Sequence, residues 1–297
     1  MIDFRIQTFL AVCRQKSFSK AADNLHITQP AVSQHIKYLE TEFGQPLFRV
    51  KGKGFKLSPA GVRLLRYAET VESDTKCIKE QIMHEREDIP FRFGATKTIG
   101  EYILPGCISA FLSENAQTTL TMAVDNSANL IVALRNGDLD FVFIEGVFNR
   151  NEFHTELFFS DAFIPVCAAT DASANGVHTL DELFLRTLIV REKGSGSRLI
   201  LENALAARNY TISDFGRSIE IGSIGAIKSL VASGAGIAFL YEQSVRQEMS
   251  DRHLARIPLS DFAVQHDYSF ICLRDSIHAD RYLDFLSFCR EHRNSIA

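Results

Sequence analysis

The chain has 297 residues, of which 46% are hydrophobic and 23% charged, and its formal net charge is −4. This length predicts roughly two domains, the composition is that of a globular protein with real cores, and no apolar run is long enough to cross a membrane. The charge is unevenly divided: residues 1–58 contain nine Lys and Arg against four Asp and Glu, a charge of +5, so the remainder carries −9. A basic head on an acidic body is typical of a small nucleic-acid-binding domain attached to a second domain.

The pattern predicts a first helix over residues 3 to about 15 and two short amphipathic helices within residues 17–40. The first of these two has an apolar side made of Phe18, Ala21, Ala22 and Leu25. In the second, apolar residues spaced i, i+4 and i+7 share one helix face, and they are Val32, Ile36 and Leu39. Thr28 is suited to cap the second helix, with Pro30 in its first turn.

The outer face of that second helix carries polar side chains that suit base edges and phosphates: Gln29, Ser33, Gln34 and Lys37. We therefore interpret residues 17–40 as a DNA-reading helix-turn-helix. Two amphipathic helices with a polar surface would also fit any small helical bundle, so the interpretation depends on the neighbouring sequence.

Gly44 and Pro46 end this helical region, and residues 47–58 then alternate apolar and charged residues around two glycines. This pattern predicts a two-stranded hairpin with a lysine-rich tip. Next to a reading helix, such a wing would place Lys51, Lys53 and Lys56 near phosphates; alternatively the hairpin is merely solvated.

Ser58-Pro59 predicts the start of a long helix that should end near residue 87, because Pro90 disfavours the helical conformation at Ile89. Residues stepping by three and four along it would form a seam of about three heptads. The seam positions are Gly61, Leu64, Ala68, Val71, Thr75, Ile78 and Ile82. The helix would be on the order of 40 Å long and would pair with a second copy, or alternatively pack on its own domain.

From residue 90 the pattern is α/β. Strands are predicted at 91–95, 119–124 and 140–146, with helices at about 99–114 and after Asn126, which indicates a parallel doubly wound sheet. An extended stretch at 157–169 could carry the chain into a second subdomain. There, strands at 187–192, 218–222 and 236–240 alternate with helices at about 197–208 and 224–233, and a strand at 267–273 and a helix at 278–292 complete the chain. Two similar halves suggest a bilobed binding fold.

Polar residues follow the strands of both halves. Ligands of such sheets bind outside the carboxyl ends of the strands, and helix N-termini with hydroxyl groups suit anions. The sequence therefore predicts a small polar ligand, most simply a carboxylate or an oxyanion. Each hydroxyl taken singly is more simply an N-cap, but the recurrence in both halves favours a site. The candidate residues are Thr96, Lys97, Thr98, Asn126, Ser127, Glu145, Gly194, Ser195, Gly196, Arg198 and Ser223.

No enzyme motif of the GxSxG, HExxH or GxxxxGK[ST] type is present, and no cofactor or catalytic residue is predicted. The six cysteines form no CxxC pair and no zinc spacing, so we expect reduced, mostly buried thiols and no metal, with redox sensing as a minor alternative. The N-terminus lacks the pattern of a signal peptide, which predicts a cytoplasmic location.

The motifs SFSKAA, QPAVSQHI, PLF and LSPAG, in this order over about 55 residues, resemble the N-terminal domain of LysR-type transcriptional regulators. ALRNGDLDFVFIEG and VASGAGIAFL are similar to segments of the two regulatory subdomains of that family. REKGSGSR resembles the REEGSGTR loop of members that regulate sulfur metabolism and carbon fixation, which favours a small anion as ligand. Family members often have Glu-Arg after the Leu-Phe of the wing, whereas this chain has Arg49-Val50, so the phosphate contact of the wing arginine is in doubt.

The resemblance implies an α/β protein with an N-terminal all-α winged helix-turn-helix, a long linker helix and a bilobed, periplasmic-binding-protein-like effector domain of two doubly wound subdomains. The implied boundaries are 1–58 for the head, 59–88 for the linker and 89–297 for the effector domain, with subdomain I at 89–161 and 267–297 and subdomain II at 162–266. The implied DNA contacts are Ser19, Thr28, Gln29, Pro30, Ser33, Gln34, Lys37, Arg49, Lys51 and Lys53.

The resemblance further implies three partners besides the chain itself: promoter DNA, a small anionic or carboxylate effector and RNA polymerase. It implies a homodimer or homotetramer and no association with a membrane. Two rival classes differ in their features. A periplasmic-type solute binder would need a signal peptide and no basic head, and an enzyme would need a catalytic constellation that the sequence does not reveal.

Overall fold

The computed structural model describes residues 2–51, 54–84, 90–146 and 148–292; at positions 50, 51 and 84 it describes the backbone alone. Along these ranges the chain forms a small head, one long helix and a mixed α/β body. Within the same ranges, no helix is both long enough and apolar enough to cross a bilayer.

Three helices and a hairpin form the head. They are α1 (Phe4–Gln15), α2 (Phe18–Leu25), α3 (Gln29–Glu42), β1 (Phe48–Lys51) and β2 (Gly54–Leu57). Each helix begins at a capping side chain, because Asp3, Ser17 and Thr28 accept hydrogen bonds from backbone N–H groups of the following turn. Gly44 follows α3 at φ +63°, the left-handed conformation in which helices commonly end. The predicted helix-turn-helix and hairpin are therefore confirmed.

Apolar packing holds the head together as the sequence predicted. Val32, Ile36 and Leu39, the predicted inner face of α3, are all buried against α1 and α2. Phe48 and Phe55, from the two strands of the hairpin, pack edge to face with ring centroids 5.0 Å apart. Phe18 of α2 packs edge to face against both rings, with centroids 5.6 and 5.1 Å away, which fixes the hairpin beside the helices.

Helix α4 (Pro59–His84) starts at the predicted position, where the Ser58 hydroxyl accepts a hydrogen bond from the N–H of Gly61 at 3.0 Å. Its predicted end near residue 87 lies outside the described residues. Two of the predicted seam residues, Gly61 and Ala68, are buried within the chain itself, whereas Ile78 and Ile82 are exposed. Packing on its own chain is thus shown for part of the helix, and pairing with a second copy stays a prediction.

Hydrogen bonds join one side of α4 to the body. The Thr70 hydroxyl donates to the carbonyl oxygen of Arg274 at 2.9 Å. One turn further along, the Asp74 carboxylate accepts from the Ser276 hydroxyl at 2.7 Å. These contacts join residues about 200 positions apart and hold the linker against the body.

A second contact of α4 involves the turn after the helix that ends at Arg135. Gly137 has φ +67°, and a Cβ built there would lie 2.9 Å from the Cα of Ser73. Lys76 donates a hydrogen bond to the carbonyl oxygen of Asn136 at 2.5 Å. The linker and the body therefore meet backbone to backbone at this turn.

The body contains nine strands and seven helices among the described residues. The strands are β3 (Phe91–Ala95), β4 (Leu120–Val124), β5 (Phe141–Ile144), β6 (His154–Ala168), β7 (Thr187–Arg191), β8 (Arg217–Ile221), β9 (Ala238–Tyr241), β10 (Leu254–Arg256) and β11 (Val264–Cys272). The helices are α5 (Lys97–Tyr102), α6 (Leu104–Glu114), α7 (Ser127–Arg135), α8 (Gly196–Ala206), α9 (Ile224–Ala232), α10 (Glu242–Ser250) and α11 (Ala279–His292).

Strand pairing divides the body into two parts. Strands β4, β3 and β5 are parallel neighbours, as predicted, and β11 lies antiparallel to β5. In the other part, β7 and β8 are parallel and β9 lies antiparallel to β6. The long strand β6 pairs with β11 over its first part and with β9 and β10 further on, so it belongs to both parts.

The structure corrects three details of the sequence-based elements. The helix predicted at 99–114 is two helices, α5 and α6, with a break at Ile103, two residues before Pro105, which has no N–H to continue the hydrogen-bond ladder. Helix α10 and strand β10 were not predicted, because their short, polar sequences carry little periodicity.

Candidate DNA-reading surface and effector cavity

The outer side of α3 faces away from the core of the head and is exposed to solvent. Its exposed residues are Gln29, Pro30, Ser33, Gln34 and Lys37. The hydroxyl of Thr28 accepts a hydrogen bond from the N–H of Ala31 at 3.3 Å, which fixes the N-terminal end of α3. The amide of Gln29 donates to the Ser33 hydroxyl at 3.3 Å, so these two polar side chains lie together on the exposed face. Ser19, in α2, is exposed as well.

The hairpin adds positive charge beside this helix. Arg49 of β1 lies directly opposite Lys56 of β2, and both side chains are exposed. Directly opposite residues of an antiparallel pair have side chains on the same face, so the two cations form one basic patch. The side chain of Lys51 and the whole of Lys53 lie outside the described residues. A shape of this kind, an exposed polar helix with a basic wing, fits a DNA major groove and its phosphates.

A main cavity of about 580 Å³ opens in the body where turns from both parts meet. A side cavity of about 30 Å³ shares five wall residues with it. The shared residues are Asn126, Ser127, Glu145, Ser195 and Gly196. Four of the five predicted turns, from distant sequence segments, thus meet at one site, at the carboxyl ends of strands as in other open α/β sheets, and the turn at 222–223 lines neither cavity.

The other candidate effector residues are distributed around this site. Gly194 and Arg198 line the main cavity, and Thr96 and Lys97 line the side cavity. Thr98 lines neither cavity: its hydroxyl is buried and donates to the carboxyl of Glu145 at 3.5 Å.

Ser223 also lines neither cavity. Its hydroxyl accepts a hydrogen bond from the N–H of Ala226 at 3.3 Å and caps α9. The structure therefore gives Ser223 the simpler of the two roles that its sequence position allowed.

Local geometry explains how the loop before α8 faces Glu145. Gly194 adopts φ +90°, a conformation that favours glycine, and the Ser195 hydroxyl then caps α8 by accepting from the N–H of Arg198 at 3.2 Å. A Cβ built on Gly196 would lie 2.9 Å from the Cγ of Glu145. A glycine is therefore required for this close approach of the two halves of the body.

Two cations of the site, Arg198 and Lys97, are already paired, whereas Lys193 lines the main cavity without an ion pair among the described residues. Arg198 donates to the carboxylate of Glu220 at 2.6 Å and to that of Glu202 at 2.8 Å. Lys97 donates to Glu192 at 3.4 Å and to the carbonyl oxygen of Gly222 at 3.1 Å. The fixed positive charge that the sequence suggested for Arg198 is therefore balanced within the protein, and a ligand would meet hydroxyl and N–H groups first.

Around Glu145, the hydroxyl of Thr96 has no hydrogen-bond partner among the described residues, and the second carboxyl oxygen of Glu145 and the neighbouring hydroxyl of Tyr241 form no hydrogen bond of regular geometry there. Thr96 precedes α5 yet makes no capping bond. Buried polar groups are nearly always satisfied in native proteins, so such a cluster needs an explanation. A ligand or water in the adjoining cavities would supply the missing partners.

Burial raises the pKa of Glu145 from its ordinary value of 4.5 to about 7. The charge of Arg191 and the neighbouring hydroxyls of Tyr241 and Thr98 act in the opposite direction, and the charge of Asp161 acts in the same direction as burial. Near neutral pH, this carboxyl is therefore close to half protonated and is able to donate a hydrogen bond.

Sequence reasoning did not identify Arg191 or Tyr241. Arg191 is buried, lines the side cavity and donates to Glu192 at 2.7 Å, and Tyr241 lies near Glu145. Both residues stand at the carboxyl ends of strands, β7 and β9. The position at a strand end was the available signal, but the sequence prediction relied on Ser, Thr and Asn side chains at helix starts, and neither residue is of that type.

Comparison with known proteins agrees with this architecture. The family description "LysR substrate binding domain" matches residues 84–294, and "Bacterial regulatory helix-turn-helix protein, lysR family" matches residues 5–62. The chain belongs to the LysR family of transcriptional regulators. It is a DNA-binding regulator with an effector-binding domain, in a family that is not enzymatic and whose members oligomerise.

Individual relatives match over most of the chain. The transcriptional regulator CysL of Bacillus subtilis (strain 168) is 29% identical over 269 residues, which cover 90% of this chain and 89% of CysL. Full-length LysG of Corynebacterium glutamicum, solved with bound effector Arg, is 17% identical with a TM-score of 0.66. The match covers 98% of this chain and 99% of LysG. The regulatory domain of CcmR from Synechocystis PCC6803, solved in complex with 2-PG, is 20% identical with a TM-score of 0.60 and covers 69% of this chain and 98% of its own.

The DNA-reading surface predicts different effects for two exposed residues of α3. Lys37→Ala should weaken binding to all DNA sequences and reduce the slope of log affinity against log salt by about 1, because one phosphate contact is lost. Gln34→Ala should instead lose about 1–3 kcal/mol at particular base pairs and relax the preference there. Binding is measured by gel shift on promoter and scrambled DNA at several salt concentrations.

Lys79→Ala is the matched control, because it removes one exposed lysine from α4, outside the head. It should leave both the affinity and the salt slope unchanged. Unchanged promoter binding in both α3 variants would show that α3 does not read DNA.

The raised pKa of Glu145 predicts a pH-dependent stability effect for Glu145→Gln. The wild-type carboxyl loses stabilising free energy as pH rises from its unfolded pKa of about 4.5 to its folded pKa of about 7. The variant should therefore be as stable as wild type at pH 4.5 but more stable at pH 8, by up to about 3 kcal/mol. Denaturant unfolding of the ligand-free full chain at both pH values measures this, and a difference that does not grow with pH would contradict it.

Proposed function

We propose that this regulator is controlled by a small anion, an oxyanion or a carboxylate, that binds in the joined main and side cavities. The observation that carries the proposal is the pair of buried polar atoms without a regular hydrogen bond, the Thr96 hydroxyl and the second carboxyl oxygen of Glu145. Both residues line the side cavity, whose wall also contains the capped N-terminus of α8 at Ser195. The complex of the CcmR regulatory domain with the small anionic ligand 2-PG supports an anion in a protein of this fold.

Hydrogen-bond donors and one cation without an ion pair in the described structure, Lys193, would select the anion at the proposed site. The cations Lys97 and Arg198 are paired with carboxylates, so hydrogen-bond donors do most of the recognition. A protonated Glu145 and the Thr96 hydroxyl would donate to ligand oxygens, and the start of α8 adds the positive end of its helix dipole. A neutral acid at this position binds an anion without the repulsion that a carboxylate would cause.

We further propose the roles of the remaining parts. Residues 1–58 read DNA, 59–88 link and dimerise, and 89–297 bind the effector, with subdomain I at 89–161 and 267–297 and subdomain II at 162–266. The shared strand β6 supports the internal boundary, because its pairing changes from β11 to β9 at Phe163.

The proposed assembly is a homodimer or homotetramer that acts on promoter DNA in the cytoplasm and contacts RNA polymerase there. The exposed apolar side chains Ile78 and Ile82 on α4 support a contact between linker helices. Effector binding would change how the two halves of the body sit on each other, and so the spacing of the DNA-reading heads.

Thr96→Val tests the site with the smallest change of shape, since it replaces only a hydroxyl that has no partner in the free protein. A screen of small anions by thermal shift first identifies the ligand. The variant should then bind that anion about ten-fold or more weakly, because a hydrogen bond to a charged group contributes roughly 1.5–3 kcal/mol. Its melting temperature without ligand should not fall.

Thr155→Val is the matched control, because the Thr155 hydroxyl is likewise buried and unpartnered in the described structure but lines neither cavity. A second pair compares two helix caps: Ser195→Ala, inside the site, should lose the ligand-induced stabilisation, whereas Ser223→Ala should keep it. Equal losses within either pair would move the binding site elsewhere.

The pKa of Glu145, raised to about 7, also predicts a pH-dependent affinity. Binding of an anion next to this carboxyl should take up a proton, so affinity should fall as pH rises from 7 to 8, by up to about ten-fold per pH unit. Calorimetric titration with an anion whose own charge is constant over this range measures the effect. Glu145→Gln should bind with the same affinity at both pH values, and a pH-independent wild type would contradict the role assigned to Glu145.

A further inference from the structure

A second large cavity, of about 430 Å³, lies where the head, the linker helix and the body meet. Its wall combines the end of α1, the hairpin β1–β2, the first half of α4 and the segment before β6. We call it the junction cavity. Its volume lies in the range of small-molecule sites in proteins, which is about 300–1,000 Å³.

Apolar side chains from three parts of the chain form most of its wall. Phe55 and Leu57 come from the hairpin, Leu65 from α4 and Phe153 from the body. This wall would bury a hydrophobic ligand body of moderate size, and each 100 Å² of apolar surface removed from water contributes roughly 2.5 kcal/mol.

One acidic group in the wall is unusual. Glu69, on α4, is only 8% exposed, yet no hydrogen bond or ion pair to its carboxyl occurs among the described residues. Burial raises the pKa of Glu69 to about 7, against the nearby charges of Arg135 and Arg14. A buried carboxyl without a partner is expensive, and here it faces a cavity large enough for a ligand.

Basic groups line the same cavity. Arg66 lies one turn before Glu69 on α4, and its buried Nε has no partner among the described residues. Lys16 and Lys56 also line the cavity, and the described structure gives neither of them an ion pair. The unpaired groups of the wall therefore carry three positive charges against one acid that is close to half protonated.

We propose that the junction cavity is a second ligand site, which takes a small molecule with a hydrophobic body and one carboxylate. The carboxylate accepts hydrogen bonds from Arg66 and from a neutral Glu69, and the hydrophobic body lies against the hairpin phenylalanines and Phe153. A cationic ligand fits the site less well, because three unpaired cations would repel it.

This site is separate from the proposed anion site, although the two share one part of their walls. Arg135 and Glu152 form an ion pair that lines the main cavity on one side and the junction cavity on the other, with Phe153 beside them. Binding in the junction cavity does not depend on which anion binds in the main and side cavities. A ligand in the junction cavity contacts head, linker and body at once, so it would stabilise their present arrangement.

The test uses the full chain and 4-phenylbutyrate as the probe, with 4-phenylbutan-1-ol and 4-phenylbutylamine as neutral and cationic counterparts. Titration calorimetry should show binding of the carboxylate at submillimolar to millimolar concentration, at least ten-fold tighter than either counterpart. Arg66→Gln should weaken carboxylate binding about ten-fold or more, because a charge-assisted hydrogen bond is lost. Glu69→Gln should preserve it within about three-fold, because a neutral donor remains.

A pair of tryptophan substitutions locates the binding. Val62→Trp, at the rim of the junction cavity, should abolish binding of the probe by filling the space, whereas Val132→Trp, an exposed helical valine outside the cavity walls, should not. Thermal unfolding of each variant verifies that it is folded. Ser195→Ala should leave binding of the probe unchanged, which separates this site from the anion site.

Three outcomes would overturn the proposal. The first is that the wild type does not bind 4-phenylbutyrate at millimolar concentration. The second is that it binds 4-phenylbutylamine more tightly and that Glu69→Gln abolishes that binding. The third is that folded Val62→Trp and folded Arg66→Gln both bind the carboxylate as wild type does.

Discussion

The pairing of one long strand holds the regulatory body together. Strand β6 pairs with β11 from His154 to Phe163, and from Phe163 onward it pairs with β9 and then β10. Neither half of the body is a complete sheet without this strand. Because the same backbone ladder runs through both halves, the turns of one half are brought against the turns of the other. The cavity between Glu145 and Ser195 depends on that arrangement.

The chemistry of that cavity differs from a simple basic pocket. Most of its arginine and lysine side chains are paired with carboxylates of the protein, as in the pair of Arg198 with Glu220, and Lys193 is the exception among the described residues. The groups without a regular hydrogen bond are the hydroxyls of Thr96 and Tyr241 and the carboxyl of Glu145, whose pKa burial raises to about 7. The junction cavity has a related composition, with the buried Glu69 whose pKa burial also raises to about 7. In both places a carboxyl that is neutral part of the time faces the cavity, and in the junction cavity it does so together with Lys16, Lys56 and Arg66, which have no ion pair among the described residues.

Features that depend on neighbours in sequence were predictable. The caps at Thr28 and Ser58 and the buried face of α3 follow from spacing over a few residues, and the structure has them as predicted. The strand-to-helix turns were also found, because each strand and its following turn are contiguous. The meeting of several such turns at one cavity followed from the general geometry of α/β sheets.

Features that depend on distant partners were not predictable. Arg198 has the residue type and position of an anion ligand, but its pairing with Glu220 arises from β8, which is brought alongside β7 by folding. Ser223 matches the hydroxyl pattern as well as Ser195 does, yet only the three-dimensional path of the chain places one beside Glu145 and the other away from it. The junction cavity joins three segments with no common motif, so no local pattern could indicate it.

The contact at Gly137 has a consequence for how the linker is oriented. The backbone of Ser73 approaches so closely that a single methyl group at position 137 would meet its Cα at 2.9 Å. The distance between linker and body is therefore set by a missing side chain, not by a flexible one that could adjust. Helix α4 is 26 residues long, so a small tilt at this contact becomes a displacement of several ångströms at its far end. The orientation of the DNA-reading head thus depends on the absence of a side chain at Gly137, two residues from Arg135 in the walls of both the main cavity and the junction cavity.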